Sequence, residues 1–169
     1  YETRYTYAYD LIKANKLFNP QKVLDLLNAG HLNLVIKLLE TDLTLLRQEN
    51  EDVVGWIAIP DTKISYPLLQ WTDNEFYLKH TWKQTPNGNG SIFIEYQNSP
   101  DFTDFNTIIY GHNMQSGTMF GTLRNYKNKN YWEEHPAFYI VCDQGILRYD
   151  IFAVHEVGTD TIIYGLDLE

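Results

Sequence analysis

Val54-Gly55-Trp56-Ile57-Ala58-Ile59-Pro60, followed across the turn Asp61-Thr62-Lys63 by Ile64-Ser65-Tyr66-Pro67-Leu68-Leu69, is where the period of this chain changes. Both runs read as extended strands, and Pro67, with no N–H to give a neighbour, argues for an edge or a bulge in the second. Upstream the spacing is helical. Asn19-Pro20 supplies a cap and a first helical position, after which Val23, Leu24, Leu26 and Leu27 recur until Gly30 closes the turn. A second helix is predicted from His31 to about Gln48, with Leu32, Val35, Leu39, Leu43 and Leu46 on one apolar stripe.

Downstream the strands continue. Thr72 and Glu75 have capping-box spacing, which predicts a short helix over 73–79 presenting Phe76, Tyr77 and Leu78 to the core. Thr85-Pro86-Asn87-Gly88-Asn89-Gly90 is an open loop between that helix and two strands, 91–95 and 106–110. A helix is predicted over 118–126 with Met119, Phe120 and Leu123 inward, and Asn130 with Glu133 repeats the capping pattern. A hairpin closes the readable pattern, with one strand at 137–142, a turn at Asp143-Gln144-Gly145 and a long strand from Ile146 to about Val157. The fold class is therefore mostly β, a largely antiparallel barrel-like sheet with two N-terminal helices and short inserted helices. Residues 1–50 form the helical segment and 51–169 the sheet domain. Beyond Val157 the pattern weakens, although Thr161-Ile162-Ile163-Tyr164 could begin another strand. Six strands leave an edge open, so the barrel is expected to be incomplete at its C-terminus, with edge-paired or swapped oligomers as the physical consequence.

Bulk composition narrows the function classes. A net charge of -9, from 13 basic and 22 acidic residues, offers no cationic stripe for a phosphate backbone, which argues against nucleic acid. The single cysteine allows no internal disulfide, and no Cys or His spacing resembles a zinc site. No run of about 18 apolar residues appears, and Tyr1-Glu2-Thr3-Arg4 does not open an export signal. The 13 tyrosines suit strands and a ring-lined peptide groove.

Chemistry concentrates at Ile108-Ile109-Tyr110-Gly111-His112-Asn113-Met114. One reading of His112 is a turn histidine held by local hydrogen bonds. The other is an acid/base group delivered to a barrel rim by the strand end, able to protonate a leaving amine or deprotonate a thiol. The only cysteine, Cys142, alternates with Phe138 and Ile140 beside a hairpin turn, where a buried inert thiol is the default. Arg148 and Arg124 are the nearest arginines to that region, and Arg148 reads as a solvated strand residue. A metal centre drawn from His31, His80, His112, His135 and His155 lacks any HExxH-like spacing, and Glu133-Glu134 reads as a solvated first helical turn. No cofactor is expected.

Several ordered motifs resemble the class B sortase family. They are Asp52-Val53-Val54-Gly55-Trp56-Ile57, Ile64 through Gln70, Gly90-Ser91-Ile92-Phe93-Ile94, and Asn106 through Met114 with Gly117-Thr118-Met119-Phe120-Gly121. The resemblance spans Asp52 to about Val157. It implies an extracytoplasmic cysteine transpeptidase of Gram-positive bacteria, anchored to the membrane by an N-terminal segment absent from this chain and folded as an eight-stranded barrel. Such enzymes cleave a sorting signal after threonine and pass the acyl group to an amine of a cell-wall precursor or another protein. Carried over, His112 is the catalytic histidine, and Asn74, Leu78 and Tyr110 line the peptide groove. The family's cysteine, after a Thr-Leu-Ser-Thr type run, and its later arginine have no counterpart here. The chain is thus expected to be inert by itself, either as part of a longer enzyme or as a peptide-binding domain without a nucleophile.

Overall fold

The computed structural model describes residues 20–156. Three helices lead, α1 (Pro20–Asn28), α2 (Leu32–Glu40) and α3 (Leu43–Glu49). Six strands follow, β1 (Val53–Ala58), β2 (Ser65–Leu69), β3 (Ile92–Ile94), β4 (Ile109–Tyr110), β5 (Ala137–Cys142) and β6 (Gly145–Asp150). Short 3-10 turns at Phe76–Leu78 and Gly121–Lys127 and a fourth helix, α4 (Lys129–Glu134), are inserted between them. The strands make one curled sheet in the order β4-β3-β2-β1-β5-β6, antiparallel except between β2 and β3. The mostly β, half-barrel class expected from the alternation is the class observed.

Alternation along the strands divides the core. Ala137, Tyr139 and Val141 of β5 join Val23, Leu26, Val35, Leu38 and Leu39 of the helices on the back of the sheet. Ile140 and Cys142 point the other way, with Ile57, Leu68, Ile92 and Ile94, and fill the inside of the curl. A third cluster joins Leu43 of α3 to Val53, Leu69, Tyr77 and Phe93 beneath the 71–82 segment. A strand buried on both sides is hydrophobic throughout, which is why β5 reads as Ala-Phe-Tyr-Ile-Val-Cys.

Several expected boundaries shift, each for a local reason. The helix predicted over 31–48 is two helices, because the extended Asp42 caps α3 by accepting from Thr44 N and Leu45 N. The helix predicted over 73–79 is only the 3-10 turn, and its capping residue is Asp73, not Thr72. Of its three apolar residues Tyr77 is buried, while Phe76 and Leu78 are half-buried. The segment predicted as a helix over 118–126 begins at Gly121 as a 3-10 helix, since Met119 has φ 49° and bridges Asn113. Asn128, not Asn130, caps α4. Strand β6 stops at Asp150, opposite Ala137, because Pro136 ends its partner there. Pro67 lies inside the sheet, but one residue ahead of Leu68, the first partner of β3, so its missing N–H removes no bond to β3. Asn19, at the first expected cap, and Thr161–Tyr164 lie outside the described residues.

Strands β1 and β5 approach closely at Gly55, where a Cβ would lie 2.6 Å from the Val141 carbonyl oxygen. Gly55→Ala is expected to destabilise the fold by about 1–3 kcal/mol, measured as a drop in the urea midpoint. Gly88→Ala, with nothing within 4 Å of its added carbon, should leave the midpoint unchanged. Matching midpoints for the two variants would contradict the close approach.

Candidate active site around His112

The alternation that buries Ile92 and Ile94 inside the curl sends Phe93 and the next odd position, Glu95, to the opposite face. Tyr110 of β4 is the cross-strand partner of Phe93, their rings 5.2 Å apart, so it shares that face. The 71–82 segment lies over these residues. Asp73 starts its turn, and Tyr77, 1% exposed, anchors it. The Tyr77 hydroxyl donates to Asp52 Oδ2 at 2.5 Å and accepts from Asn50 Nδ2 at 2.7 Å. Gln84 Nε2 donates to the same Asp52 oxygen at 2.8 Å. Burial first, and the Asp52 bond second, push the Tyr77 phenol well above its ordinary pKa, so it remains a donor.

An anchored Tyr77 fixes the next peptide. The Leu78 carbonyl accepts from His112 Nε2 at 2.9 Å, joining residues 34 apart in sequence. Because a carbonyl only accepts, Nε2 carries the proton in the neutral ring, and Nδ1 holds the basic lone pair. Nδ1 has no hydrogen-bond partner among the described residues, and the ring is half-buried. Gly90, at φ 58°, packs against the same turn; a Cβ there would lie 2.6 Å from Tyr77 O and 2.7 Å from Leu78 O. No larger residue could let the 85–91 loop close over this carbonyl without moving it.

The far side of the His112 turn is pinned as well. Phe120 N donates to His112 O at 3.0 Å, and Met119 N donates to the Tyr66 hydroxyl at 3.0 Å. Arg124 donates to Gly121 O, Asn113 Oδ1 and Met114 O, so its guanidinium serves the loop. Arg148 pairs with Asp150 on β6, half exposed.

Of the other sequence-chosen residues, Asn74 donates to Glu95 Oε2 at 2.6 Å and accepts from Tyr96 N at 3.0 Å. Tyr110 donates to the same Glu95 oxygen at 2.7 Å. The structure therefore brings Asn74, Leu78, Tyr110 and His112 into one bonded constellation through two groups, the Leu78 carbonyl and the Glu95 carboxylate. Glu95 escaped the sequence reading. The available signal was its position two residues after Phe93, on the face that Tyr110 shares.

Cys142 is elsewhere. It is 4% exposed among Ile57, Ile140 and Phe102, and burial raises its thiol pKa. The remaining histidines are dispersed. His31 pairs with Asp61, His80 stacks on Phe76 and meets its carbonyl, His135 is buried against Pro60 O, and His155 is exposed. No group of three or more His, Cys, Asp or Glu among the described residues could hold a metal ion.

Comparison with known proteins places this geometry in context. Residues 57–165 match the family model described as a Sortase domain. Sortase B of Listeria monocytogenes is 48% identical over 117 residues, covering 68% of this chain and 47% of that protein. Sortase B of Staphylococcus aureus is 31% identical over 124 residues, covering 73% of this chain and 51% of that protein. A solved Staphylococcus aureus sortase B-substrate complex superimposes with a TM-score of 0.72 at 30% identity, over 75% of this chain and 58% of its own. The chain spans about half the length of the curated relatives it matches.

Nitrogen-15 NMR of the imidazoles should show neutral His112 as the Nε2–H tautomer, and Gly90→Ala should erase that preference by displacing the Leu78 carbonyl; an Nδ1–H ring in the parent chain would overturn the assignment. Cys142 should alkylate at pH 8 at least roughly tenfold more slowly in the folded protein than in denaturant, since burial withholds the thiolate. Equal rates would place the thiol at the surface.

Proposed function

The chain belongs to the sortase family, and from that premise we propose that the protein it comes from is a class B cysteine transpeptidase acting on C-terminal sorting signals. His112 is its acid/base group, and Asn74, Leu78 and Tyr110 line its peptide groove. We assign this half of the reaction to the sheet domain, residues 51–169, with helices α1 and α2 bracing the back of the sheet. The observation that carries the reading is the His112 ring, committed through Nε2 to the Leu78 carbonyl and left with Nδ1 for proton transfer.

The chemistry is ping-pong acyl transfer. A thiolate attacks the carbonyl carbon of the scissile threonine bond and forms a tetrahedral oxyanion, which collapses to a thioester as the C–N bond breaks. Protonated His112 gives its proton to the departing amine. The same nitrogen then takes a proton from an incoming amine of a cell-wall precursor or protein, which attacks the thioester and releases the thiolate. An arginine stabilises the oxyanion, because a fixed cation acts most where negative charge develops. Cys142, sealed in the hairpin core, is not the nucleophile, and Arg124 and Arg148 are engaged elsewhere. The thiol and the guanidinium come from sequence outside these 169 residues, which by themselves turn over no peptide. Coverage of only half of each curated relative supports this division.

The setting proposed is the outer surface of a Gram-positive cell, with an N-terminal segment as the membrane anchor. No helix among the described residues is long and apolar enough to cross a membrane. Copies of the 169-residue chain by themselves associate through their outer strands.

The test is steady-state cleavage of a threonine-containing sorting peptide, with an amine acceptor, by the full-length protein. His112→Ala should lower kcat/KM by about 100- to 10,000-fold, whereas Asn74→Ala and Tyr110→Phe should act mainly on KM. Turnover by the 169-residue chain alone would sink the assignment of the nucleophile. Peptide binding by a full-length protein that never cleaves would favour a binding domain that has lost its thiol.

A further inference from the structure

Asn50 is 4% exposed at the C-terminal end of α3, and acyl transfer gives it no part. Its side chain nevertheless uses its whole hydrogen-bonding capacity. Nδ2 donates to the Tyr77 hydroxyl at 2.7 Å and to the Trp82 carbonyl at 2.6 Å. Oδ1 accepts from Asp52 N at 3.0 Å and from Gln84 Nε2 at 3.2 Å. A carboxamide has two N–H donors and two oxygen lone pairs, and all four are matched. Two of the partners are backbone groups of fixed sense, an N–H and a carbonyl, so the amide has one orientation. The backbone is held as well, with Asn50 N donating to Leu46 O at 3.0 Å and Val53 N donating to Asn50 O at 3.3 Å.

The partners of Nδ2 are 27 and 32 residues away in sequence, at the two ends of the stretch 77–82. Between them is the Leu78 carbonyl that accepts from His112 Nε2. Neighbouring carbonyls of the stretch bond forward: Tyr77 O accepts from Ser91 N, Lys79 O from Asn87 N and His80 O from Ser91 Oγ, each at 2.8 Å. Those donors belong to the 85–91 loop, which has no regular structure of its own. Asn50 ties the same stretch to the junction of α3 and β1, where the chain is held by a helix and a central strand. Gln84 closes the arrangement from a left-handed backbone, φ 59°, with its amide donating to both Asn50 and Asp52.

We propose that Asn50 is a positioning residue for His112: by holding both ends of the 77–82 stretch it fixes the direction of the Leu78 carbonyl, and through it the tautomer of a ring that Asn50 does not touch. The effect on turnover rests on the reading of His112 as the acid/base group, whereas the effect on the tautomer rests on the geometry alone.

The experiment combines nitrogen-15 NMR of His112 with the thermal midpoint, kcat and KM of the full-length protein on a sorting peptide. Asn50→Ala removes both donors and is expected to mix the two neutral tautomers of His112. It should lower kcat about 10- to 100-fold, because small displacements of a reacting group are costly, and leave KM within about twofold. Gly55→Ala, which loosens the β1–β5 contact instead, is the control for lost stability and should keep the Nε2–H ring and the parent kcat. Tyr77→Phe cuts one of the two Asn50 arms and keeps the ring in the core. It should show the same changes at smaller size, and it answers the question if Asn50→Ala does not fold. A retained Nε2–H ring in whichever of these two variants folds, or equal mixing in Gly55→Ala, would reduce Asn50 to a structural residue and overturn the inference alone. Mixed tautomers with an unchanged kcat would uphold the placement and overturn the acid/base reading of His112.

Discussion

The hydrogen bond from His112 Nε2 to the Leu78 carbonyl is the constraint on which the site depends. It ties the end of a two-residue strand to a single 3-10 turn, neither of which has enough regular structure to hold a side chain by itself. Each end is braced from behind. Tyr77 roots the turn in a buried polar network with Asn50 and Asp52, and Arg124 with Phe120 closes the loop after His112. Such bracing suits the proton-transfer role proposed for His112, because such a group is useful only when its nitrogen is held in a fixed tautomer and direction. A backbone carbonyl does this without adding a second charge to the site.

Division of labour between the faces of the sheet follows from a period of two. The inside of the curl is filled by Ile57, Leu68, Ile92, Ile94 and Cys142 and is apolar. The face that carries Phe93, Glu95 and Tyr110 mixes rings with a buried carboxylate, and its polar groups are paired by the overlying 71–82 segment. Burying a charge is costly unless it is hydrogen-bonded, so a carboxylate at this depth requires the donors that surround it. The same alternation explains why Cys142 is buried and its thiol pKa raised. A hairpin strand covered on both faces offers its thiol neither water nor a cation to stabilise the thiolate.

Much of the fold was legible along the chain because the alternating and helical periods are strong where burial is strong. The strands read at 54–60, 64–69 and 137–142 carried clear patterns and formed at 53–58, 65–69 and 137–142. Helix limits were less legible. At Asp42, Asp73 and Asn128 the capping side chain is one of several nearby residues of similar chemistry, and only the local backbone decides which oxygen meets the free N–H groups. The extent of β6 was misread for a different reason. A strand lasts only as long as its neighbour, and Pro136 ends β5.

By itself the sequence determined the fold class, the place of His112 just past a strand and the burial of Cys142, since each rests on periodicity or turn chemistry, whereas Asn74, Leu78 and Tyr110 were chosen through a family resemblance. Tertiary structure alone decided how those residues meet. Glu95 lies 21 residues from Asn74 and 15 from Tyr110, and Leu78 lies 34 from His112. Contacts across such separations depend on how β3, β4 and the 71–82 segment stack, and no local pattern encodes which carbonyl or carboxylate will stand opposite a given donor.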